Sequence, residues 1–319
     1  PIVASVSSTS ADGTYDVGSV IPITIAFNDI VIVTGTPQLA LSTGGTYLSF
    51  DGSDDYVGTG TSLLNNVSQF TLAGWLKPET AGNREGFFGQ NDMIEFGYQS
   101  TTTVWGWTAS GGDVYWTIDS TFSFNSKHHA VFVGTGSNLM IYVDGELKST
   151  GGSATSSYNT SAFDFNIGGG GVWDASGNWF DGDIYEVAVW DTALSAAAIA
   201  ALYNGGAGLD ASTNSGNYSS IADLLAYWKF DEGSGSTLSD ASGNGNNGTI
   251  NGATWLTNTT SVNYASGSGS TTLTFDYTVG PGQASSDLDY ASTTAIGLNG
   301  GSITDLVGNV ANLILPLPG

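Results

Sequence analysis

The sequence predicts an all-β protein built from two β-sandwich domains, one of which interrupts the other in the chain. Forty-six glycines, 40% hydrophobic residues and only two methionines indicate short strands joined by tight turns, because long helices need the opposite composition. A length of 319 residues exceeds what one sandwich usually needs. All nine tryptophans and all five basic residues lie between Gly45 and Leu256, so the composition changes at both of those positions.

The two flanks, residues 1–44 and 257–319, are expected to form one discontinuous host domain. They contain seven Asp, no Glu and no basic residue. Apolar residues alternate with polar ones from Ile21 to Phe27 and again from Leu273 to Val279, which is the period of half-buried strands. Neither flank alone could enclose a core, but together they have the strand number and length of one immunoglobulin-like β-sandwich.

Three flank segments also resemble a known repeat: Val33–Leu41, Tyr264–Phe275 and Gly301–Asn309. They are similar to the SwmB-type repeat of large bacterial surface proteins, in which the first two segments follow one another directly. The resemblance implies an immunoglobulin-like host domain that is interrupted at this junction. Such split domains occur in long calcium-dependent adhesins, where the host continues the stalk and the inserted domain projects with the ligand site.

The insert, residues 45–256, reads as a series of strands separated by turn residues. The predicted strands are Phe70–Lys77, Val104–Thr108, Val114–Ile118, Ala130–Val133, Leu139–Val143 and Ile184–Trp190. Asp144-Gly145 and Gly111-Gly112 stand where hairpin turns need a positive φ. One helix is predicted over Leu194–Tyr203, ended by Asn204-Gly205.

Five segments of the insert together resemble the laminin-G-like, concanavalin A-like superfamily: Leu48–Tyr56, Phe70–Pro78, His128–Ala130, Ile141–Gly145 and Leu194–Tyr203. The resemblance implies a jelly-roll sandwich of two antiparallel sheets. Tyr227–Gly235 with Asp240–Asn244 resembles the opening strands of that family, yet here it comes last. We therefore expect a circularly permuted domain whose ends, residues 45 and 256, lie close together, as insertion into a host loop requires.

The charge of the chain restricts its partners. A net charge of −24 and a pI near 4.1 repel phosphate backbones and anionic lipid surfaces, so we expect neither nucleic-acid binding nor membrane insertion. No apolar run approaches the roughly 20 residues that span a bilayer. The absence of cysteine excludes thiolate metal sites. Uncompensated acids in turn segments make Ca²⁺ the expected ion.

Acidic turns supply the candidate calcium ligands. In the insert these are Asp51, Asp55, Asp174, Asn178, Asp183, Asp240 and Asn244, and in the host Asp287, Asp289 and Asp305. Alternating oxygen-bearing residues in a Gly-containing turn can direct their oxygens at one hard cation. The alternative is that Asp, Ser, Gly and Asn simply form good turns. At Gly182–Val187 some relatives hold an ion, but Tyr185 stands where their acid is expected, so Asp183 or Glu186 would have to replace it.

Two loops supply the candidate ligand-binding residues. The glycine-rich loop from Gly168 to Trp179 offers Trp173, Asp174, Asn178 and Trp179, which combine flat apolar rings with groups that bond hydroxyls, as sugar recognition requires. The alternative is that both rings cap the edge of the sandwich. The second loop offers Arg84, Asn91 and Asp92, with a solvated loop as the alternative. Trp105 and Trp107 share one strand face, which predicts core or, less favoured, a platform on an exposed sheet.

An enzyme is not predicted. Asp181, Asp183 and Glu186 have the spacing of a glucanase carboxylate motif, but the laminin-G-like resemblance already accounts for them. There is no Gly-x-Ser-x-Gly elbow and no phosphate loop. The function implied is a calcium-dependent carbohydrate-binding module for adhesion. A protein- or peptide-binding or purely structural stalk module is the alternative, and a glycoside hydrolase is the remote one.

The expected setting is the bacterial cell surface. The chain begins at Pro1 without an initiator Met or a signal-peptide pattern, which indicates a piece of a longer secreted polypeptide. The expected partners are cell-surface or extracellular glycans and the neighbouring domains of that polypeptide. As an isolated module the chain is expected to be monomeric.

Overall fold

The computed structural model describes residues 1–280, 283 and 288–318, and within it the chain divides into two compact units. The first unit consists of Pro1–Gly45 and Thr257–Gly319, and the second of Thr46–Leu256. The regular secondary structure of the described chain is almost entirely strand, which confirms the predicted all-β class. None of its described helices has the length and apolar character needed to cross a membrane.

The strands are β1 Val3–Ser8, β2 Val20–Thr34, β3 Gln38–Asp51, β4 Tyr56–Gly58, β5 Phe70–Pro78, β6 Gly86–Gln90, β7 Ile94–Ser100, β8 Thr103–Thr108, β9 Gly112–Thr117, β10 His128–Gly134, β11 Leu139–Val143, β12 Glu146–Gly151, β13 Phe165–Ile167, β14 Asp181–Trp190, β15 Leu224–Trp228, β16 Thr237–Leu238, β17 Gly248–Asn251, β18 Thr254–Ser266, β19 Ser270–Thr278, β20 Asp289–Tyr290, β21 Ile296–Gly297 and β22 Ser302–Thr304. The helices are α1 Ala196–Tyr203 and two short 3₁₀ turns, Asn204–Gly206 and Ile221–Asp223.

In the first unit, strands from both flanks pair in one antiparallel arrangement. The order is β1-β2-β19-β18-β3, with β22 on β2 and with β20 and β21 on β3. Ile25 of the first flank lies opposite Leu273 of the second, and both side chains are fully buried. The two flanks therefore share one hydrophobic core, to which Leu39 and Phe275 also contribute. The immunoglobulin-like character of this unit stays a prediction.

The second unit contains two antiparallel sheets. The back sheet has the order β3-β14-β5-β10-β11-β12, with β15 paired to β14. The front sheet has the order β16-β17-β4-β13-β6-β7-β8-β9. The last segment of the unit supplies β15 to the back sheet and β17 to the front sheet. The permuted strand order that the sequence predicts stays a prediction.

The main core of the second unit lies between its two sheets. Successive side chains of a strand point to opposite faces of its sheet. The inward-facing Leu72, Phe132 and Val187 of the back sheet therefore form one buried cluster with Phe88 and Phe96 of the front sheet. Phe96 stacks on Phe132 at a centroid distance of 5.4 Å, which joins the sheets directly. Side chains that alternate with these point to the opposite faces.

Helix α1 covers the outer face of the back sheet. It begins after Ser195, whose hydroxyl accepts from the Ala198 N–H at 3.2 Å, and it ends at Asn204 in the left-handed conformation. Its Ile199 and Leu202 are buried in a second cluster of this unit. The predicted helix is confirmed, and so is the hairpin turn at Asp144-Gly145, where φ is 52° and 79°. The outer face of the front sheet has no such helix among the described elements that pair or pack with it.

Candidate functional site

The glycine-rich loop from Gly168 to Trp179 is held by its own polar side chains. The Asn178 amide Nδ2 donates to Asp174 Oδ2 at 2.8 Å, and the loop carries positive φ at Trp173 (75°) and Asn178 (58°). Trp173 is buried, with 3% of its surface exposed, and its Nε1 donates to the Glu85 carbonyl at 3.2 Å. Trp179 is half-buried and packs on Tyr56 at 5.8 Å. The two rings are therefore largely engaged within the unit.

The second predicted loop reaches the first. Arg84 Nη2 donates to the Trp173 carbonyl at 3.1 Å and lies 3.8 Å from Asp174 Oδ1. Asn91 is 2% exposed, and its Oδ1 has no hydrogen-bond partner within the described chain. The Asp92 N–H donates to Glu95 Oε1 at 2.8 Å. The structure thus brings Arg84 to the glycine-rich loop and places Asp92 beside a buried acid that the sequence analysis did not single out.

A continuous row of residues crosses the outer face of the front sheet, and we call it the front row. Antiparallel register aligns its members on seven neighbouring strands: Thr249, Gly58, Asn166, Gly89, Glu95, Trp107 and Asp113. Their sequence neighbours, such as Ile94 and Phe96, belong to the core cluster between the sheets. Because successive strand residues point to opposite faces, the front row points away from that core.

Aromatic rings stand beside the front row. Trp105, on the same strand face as Trp107, stacks on Trp173 at 4.4 Å with an interplanar angle of 9°. On its other side Trp105 stacks on Tyr115 at 5.8 Å and 6°. Tyr115 is 49% exposed, and Trp105 and Trp107 are half-buried. The favoured core prediction for Trp105 and Trp107 is therefore wrong: the two rings lie on the outer face because Val104, Gly106 and Thr108 are the residues that β8 turns inward.

An open groove of about 480 Å³ lies on the same face. Its lining includes Gly58, Asn166 and Thr249 of the front row together with Tyr56 and Asn251. Asn166 Nδ2 donates to the Gly170 carbonyl at 2.9 Å, which ties the glycine-rich loop to the groove. The face therefore combines a groove at one end with exposed aromatic rings at the other.

Two glutamates, the buried Glu95 and the half-buried Glu85, adjoin this face, and desolvation raises the pKa of each to about 7. For Glu95, which is 4% exposed, desolvation is the main cause, while the Asp92 N–H and the Arg84 charge act in the opposite direction. Glu85 is likewise desolvated, and its Oε2 is buried without a partner within the described chain. A carboxyl group whose pKa is raised to about 7 is typical of a binding or catalytic site.

Sequence reasoning missed Glu95, Asp113, Tyr115 and Asn166. A signal was present, since Glu95, Trp107 and Asp113 alternate with apolar residues on three successive strands. Which of these strands pair, and in what register, depends on tertiary contacts that the sequence pattern does not specify.

Among the predicted calcium ligands, Asp51 and Asp55 come together with Asp54. Each offers a carboxylate oxygen, and these oxygens lie within 4.8 Å of one another. The Asp51 N–H donates to Asp55 Oδ2 at 2.9 Å, and burial raises the pKa of Asp55. A Cβ at Gly252 would lie 1.9 Å from Asp55 Oδ1, so only glycine leaves room for that carboxylate. Three clustered carboxylates are a donor set that suits a hard divalent cation.

The other predicted ligands of the second unit have protein partners. Asp183 Oδ2 pairs with Lys77 Nζ at 2.9 Å in a buried setting. Asp240 Oδ1 accepts from the N–H groups of Tyr227 and Ser242, and its Oδ2 accepts from the N–H of Asn246, all within 3.0 Å. The Asn244 amide donates to the Leu224 carbonyl at 2.8 Å. These contacts are the backbone hydrogen bonds of turns and an ion pair between the buried Asp183 and the half-buried Lys77.

The host candidates lie in the first unit. Asp305 Oδ1 accepts from the N–H of Asn309 at 2.8 Å, and its Oδ2 accepts from the Asn309 amide at 2.7 Å. The Asn309 hydrogen bond is the main reason that the pKa of Asp305 is lowered. Asp289 Oδ1 accepts from the Tyr290 N–H at 2.7 Å. Asp287 lies outside the described residues.

The carboxylate trio with glucanase spacing is on β14 of the back sheet. Asp181 accepts from the Thr80 hydroxyl at 2.6 Å, Asp183 pairs with Lys77, and Glu186 accepts from the Tyr227 hydroxyl at 2.8 Å. Each carboxylate is thus engaged by a neighbouring side chain. The trio also belongs to a different sheet from the front row.

Comparison with known proteins shows which fold family the second unit resembles. Residues 51–200 match the family described as the concanavalin A-like lectin/glucanases superfamily. The second unit contains a concanavalin A-like lectin/glucanase domain. This confirms the concanavalin A-like part of the predicted fold, within an all-β chain that has two antiparallel sheets in this unit.

Among solved structures, a candidate carbohydrate-binding protein from Bacteroides ovatus shares 18% identity with a TM-score of 0.53, over 75% of this chain and 68% of that one. A pentraxin from Limulus polyphemus shares 18% identity with a TM-score of 0.41, over 50% and 82% of the two chains. Domain 4 of an arabinanase from Geobacillus stearothermophilus, solved with arabinotriose, shares 18% identity with a TM-score of 0.36, over 54% and 86%. No curated protein matches the chain.

Proposed function

We propose that the chain is a non-enzymatic carbohydrate-binding module whose ligand lies on the outer face of the front sheet. The observation that carries the proposal is the front row, in which Glu95 and Asp113 flank Trp107 on the outer face and Asn166 lies two strands beyond Glu95. Aromatic rings pack on the C–H faces of sugars, and carboxylates and amides bond their hydroxyls. The candidate carbohydrate-binding protein from Bacteroides ovatus, which has a similar fold, supports the same class of function.

The shape of the face suits an extended chain of sugars. Gly58 is half-buried and has no side chain, so a ligand can approach the backbone at this position of the front row. The groove of about 480 Å³ falls within the range of typical small-molecule sites. From the groove, the row continues to Trp107 and Asp113 without a covering helix among the described elements.

Calcium has a separate role in this proposal. Asp51, Asp54 and Asp55 would hold one Ca²⁺ and relieve the repulsion among their carboxylates. Asp51 belongs to β3 and Asp55 precedes β4, so an ion there would join a strand of each sheet in the second unit. Calcium would therefore stabilise the domain that presents the front row.

The wider setting follows from the sequence. We propose that the first unit is an immunoglobulin-like host and that the chain belongs to a secreted bacterial surface protein, where it serves adhesion. The shared core of the two flanks supports a single host domain. The net charge of −24 supports an extracellular setting in which calcium is abundant.

A glycan array with the whole chain tests the proposal. We expect binding to at least one class of sugar, lost in Trp107→Ala and kept in Trp255→Ala, a half-buried tryptophan of the same unit that lies off the front row. Binding to no sugar class would contradict the proposal. Incubation of the bound sugars with the chain should leave them intact, and cleavage products would contradict its non-enzymatic part.

A further inference from the structure

The charges on the front-sheet face indicate what kind of sugar it takes. Glu95 and Asp113 stand on either side of Trp107 in the front row, and Asp164 lines the groove. Asp92 and Asp174 lie near enough to Glu95 to act on its ionisation. The Cβ atoms of opposite residues on neighbouring strands lie about 5 Å apart, so the exposed Asp113 carboxylate and the buried Glu95 carboxyl, which is 4% exposed, both lie beside the Trp107 ring.

The face offers little positive charge in return. Arg84 is the base that acts on Glu95, and its guanidinium already donates to the Trp173 carbonyl and lies 3.8 Å from Asp174. Of the other bases, Lys77, Lys148 and Lys229 form ion pairs with Asp183, Glu146 and Asp210. Lys127 lies over the rings of Trp75 and Tyr185, and Trp75 belongs to the back sheet. Among the described residues of this face, an acidic sugar would therefore meet several carboxylates and one base, Arg84.

The aromatic rings add a further preference for positive charge. The faces of Trp and Tyr rings attract cations, most strongly when carboxylates stand beside them. The Trp105 Nε1 donates to Asp113 Oδ1 at 2.7 Å and holds that exposed carboxylate next to Trp107 and Tyr115. An ammonium group on the Trp107 ring would thus meet a π-face and the exposed Asp113 carboxylate, with the buried carboxyl of Glu95 on the other side of the ring.

We propose that the front row selects a glycan that carries a protonated amino group, in which the ammonium lies over Trp107 between Glu95 and Asp113. The inference rests on the proposed carbohydrate-binding function and names its ligand class. It excludes sialylated and uronic-acid glycans as preferred ligands, and it disfavours amino sugars whose nitrogen is acylated.

Four tetrasaccharides test this preference by calorimetry with the whole chain: β-1,4-linked oligomers of glucosamine, N-acetylglucosamine and glucose, and an oligomer of galacturonic acid. The first three share one backbone and differ only at carbon 2. We expect the glucosamine oligomer to bind at least about tenfold more tightly than the others, which is the effect of one well-placed charge-assisted contact. Equal or tighter binding of a neutral or acidic oligomer would overturn the inference.

Single substitutions distinguish a local contact with the ligand from a general attraction by the negative charge of the whole protein. Glu95→Gln and Asp113→Asn should each weaken glucosamine-oligomer binding about tenfold. Asp191→Asn removes the same charge at an exposed position off the front row and should leave that affinity unchanged. An equal loss in all three variants would show an unspecific charge effect and would overturn the inference.

A dependence on pH distinguishes the role of Glu95 from a merely structural one. Since burial raises the pKa of Glu95 to about 7, this carboxyl is largely protonated at pH 5 and increasingly ionised at pH 7. The groups acting on it are Asp92, Asp174 and Arg84. The amines of the ligand also lose protons over this range, so the change is measured against Glu95→Gln: the ratio of the affinity of the unsubstituted chain to that of the variant should rise from pH 5 to pH 7. A pH dependence unchanged in Glu95→Gln would contradict the assigned role.

The array separates this inference from the function on which it rests. If the chain binds only neutral or acidic sugars on the array, the proposed carbohydrate-binding function remains and the ammonium preference is overturned. Binding to no sugar of any class would overturn both.

Discussion

Glu95→Gln should stabilise the second unit at neutral and alkaline pH. Glu95 is 4% exposed, and desolvation is the main reason that its pKa rises from the ordinary 4.5 to about 7. Because the pKa in the folded state is the higher one, the protonated carboxyl favours folding below pH 4.5. That contribution is lost as the pH rises through about 7. A glutamine keeps the oxygen that accepts from the Asp92 N–H and carries no charge at any pH.

The magnitude follows from the pKa. Each pKa unit corresponds to about 1.4 kcal/mol, so the rise in the pKa of this carboxyl on folding lowers the free energy of unfolding by about 3 kcal/mol at pH 8 and by less than about 1 kcal/mol at pH 5. We therefore expect Glu95→Gln to raise the free energy of unfolding by about 2 kcal/mol more at pH 8 than at pH 5.

Tryptophan fluorescence in urea gives the measurement. All nine tryptophans lie in the second unit, so their emission follows the unfolding of that unit and not of the first. Asp191→Asn is the control, since it removes one exposed charge of the same sign. A Glu95→Gln variant that gains no more stability at pH 8 than at pH 5 would refute the argument.

Three further predictions concern calcium, packing and a turn. Calcium at about one hundred times its dissociation constant should raise the free energy of unfolding of the second unit by about 2.7 kcal/mol; Asp54→Asn and Asp55→Asn should lose this gain in urea titrations, and an equal gain in both variants would exclude the Asp51–Asp55 site. Gly97→Ala should cost about 1–3 kcal/mol, because its Cβ would lie 2.1 Å from the Glu85 carbonyl oxygen; Gly58→Ala in the same unit, where the nearest atom would lie 3.3 Å from the Cβ, is the control, and equal thermal midpoints of tryptophan emission would count against it. Asp240→Ala should cost about 2–4 kcal/mol because it leaves three backbone N–H donors without their acceptor, whereas exposed Asp231→Ala should cost little; indistinguishable urea midpoints would contradict this account.

Local patterns predicted the elements of the second unit well. The strand predicted over Leu139–Val143 has these bounds in the structure, and that over Phe70–Lys77 is longer by one residue. The predicted helix was confirmed because its end, Asn204-Gly205, depends only on local backbone conformation. Such features follow from residues that are close together in sequence.

The boundaries between the two compact units lie close to the positions at which the amino-acid composition changes. The change in composition predicted boundaries at residues 44/45 and 256/257, and the compact units meet at Gly45/Thr46 and Leu256/Thr257. That the first unit is an immunoglobulin-like host and that the second is circularly permuted stay predictions.

The candidate site was harder to predict from the sequence. The sequence analysis proposed Trp173 of the glycine-rich loop as a ligand-binding ring, but Trp173 is buried against Trp105 and Glu85. The face beside it is built from seven strands, and its members become neighbours only through long-range register. The acidic turns gave mixed outcomes for a similar reason, because the same residues that bind calcium also accept backbone N–H groups, as Asp240 does.

The most direct test of the central claim is a crystal structure of the chain with the oligosaccharide that binds most tightly on the array. The account predicts that a sugar ring packs on Trp107 and that its polar groups bond Glu95 or Asp113. A ligand bound elsewhere, with the front row free of sugar, would contradict it.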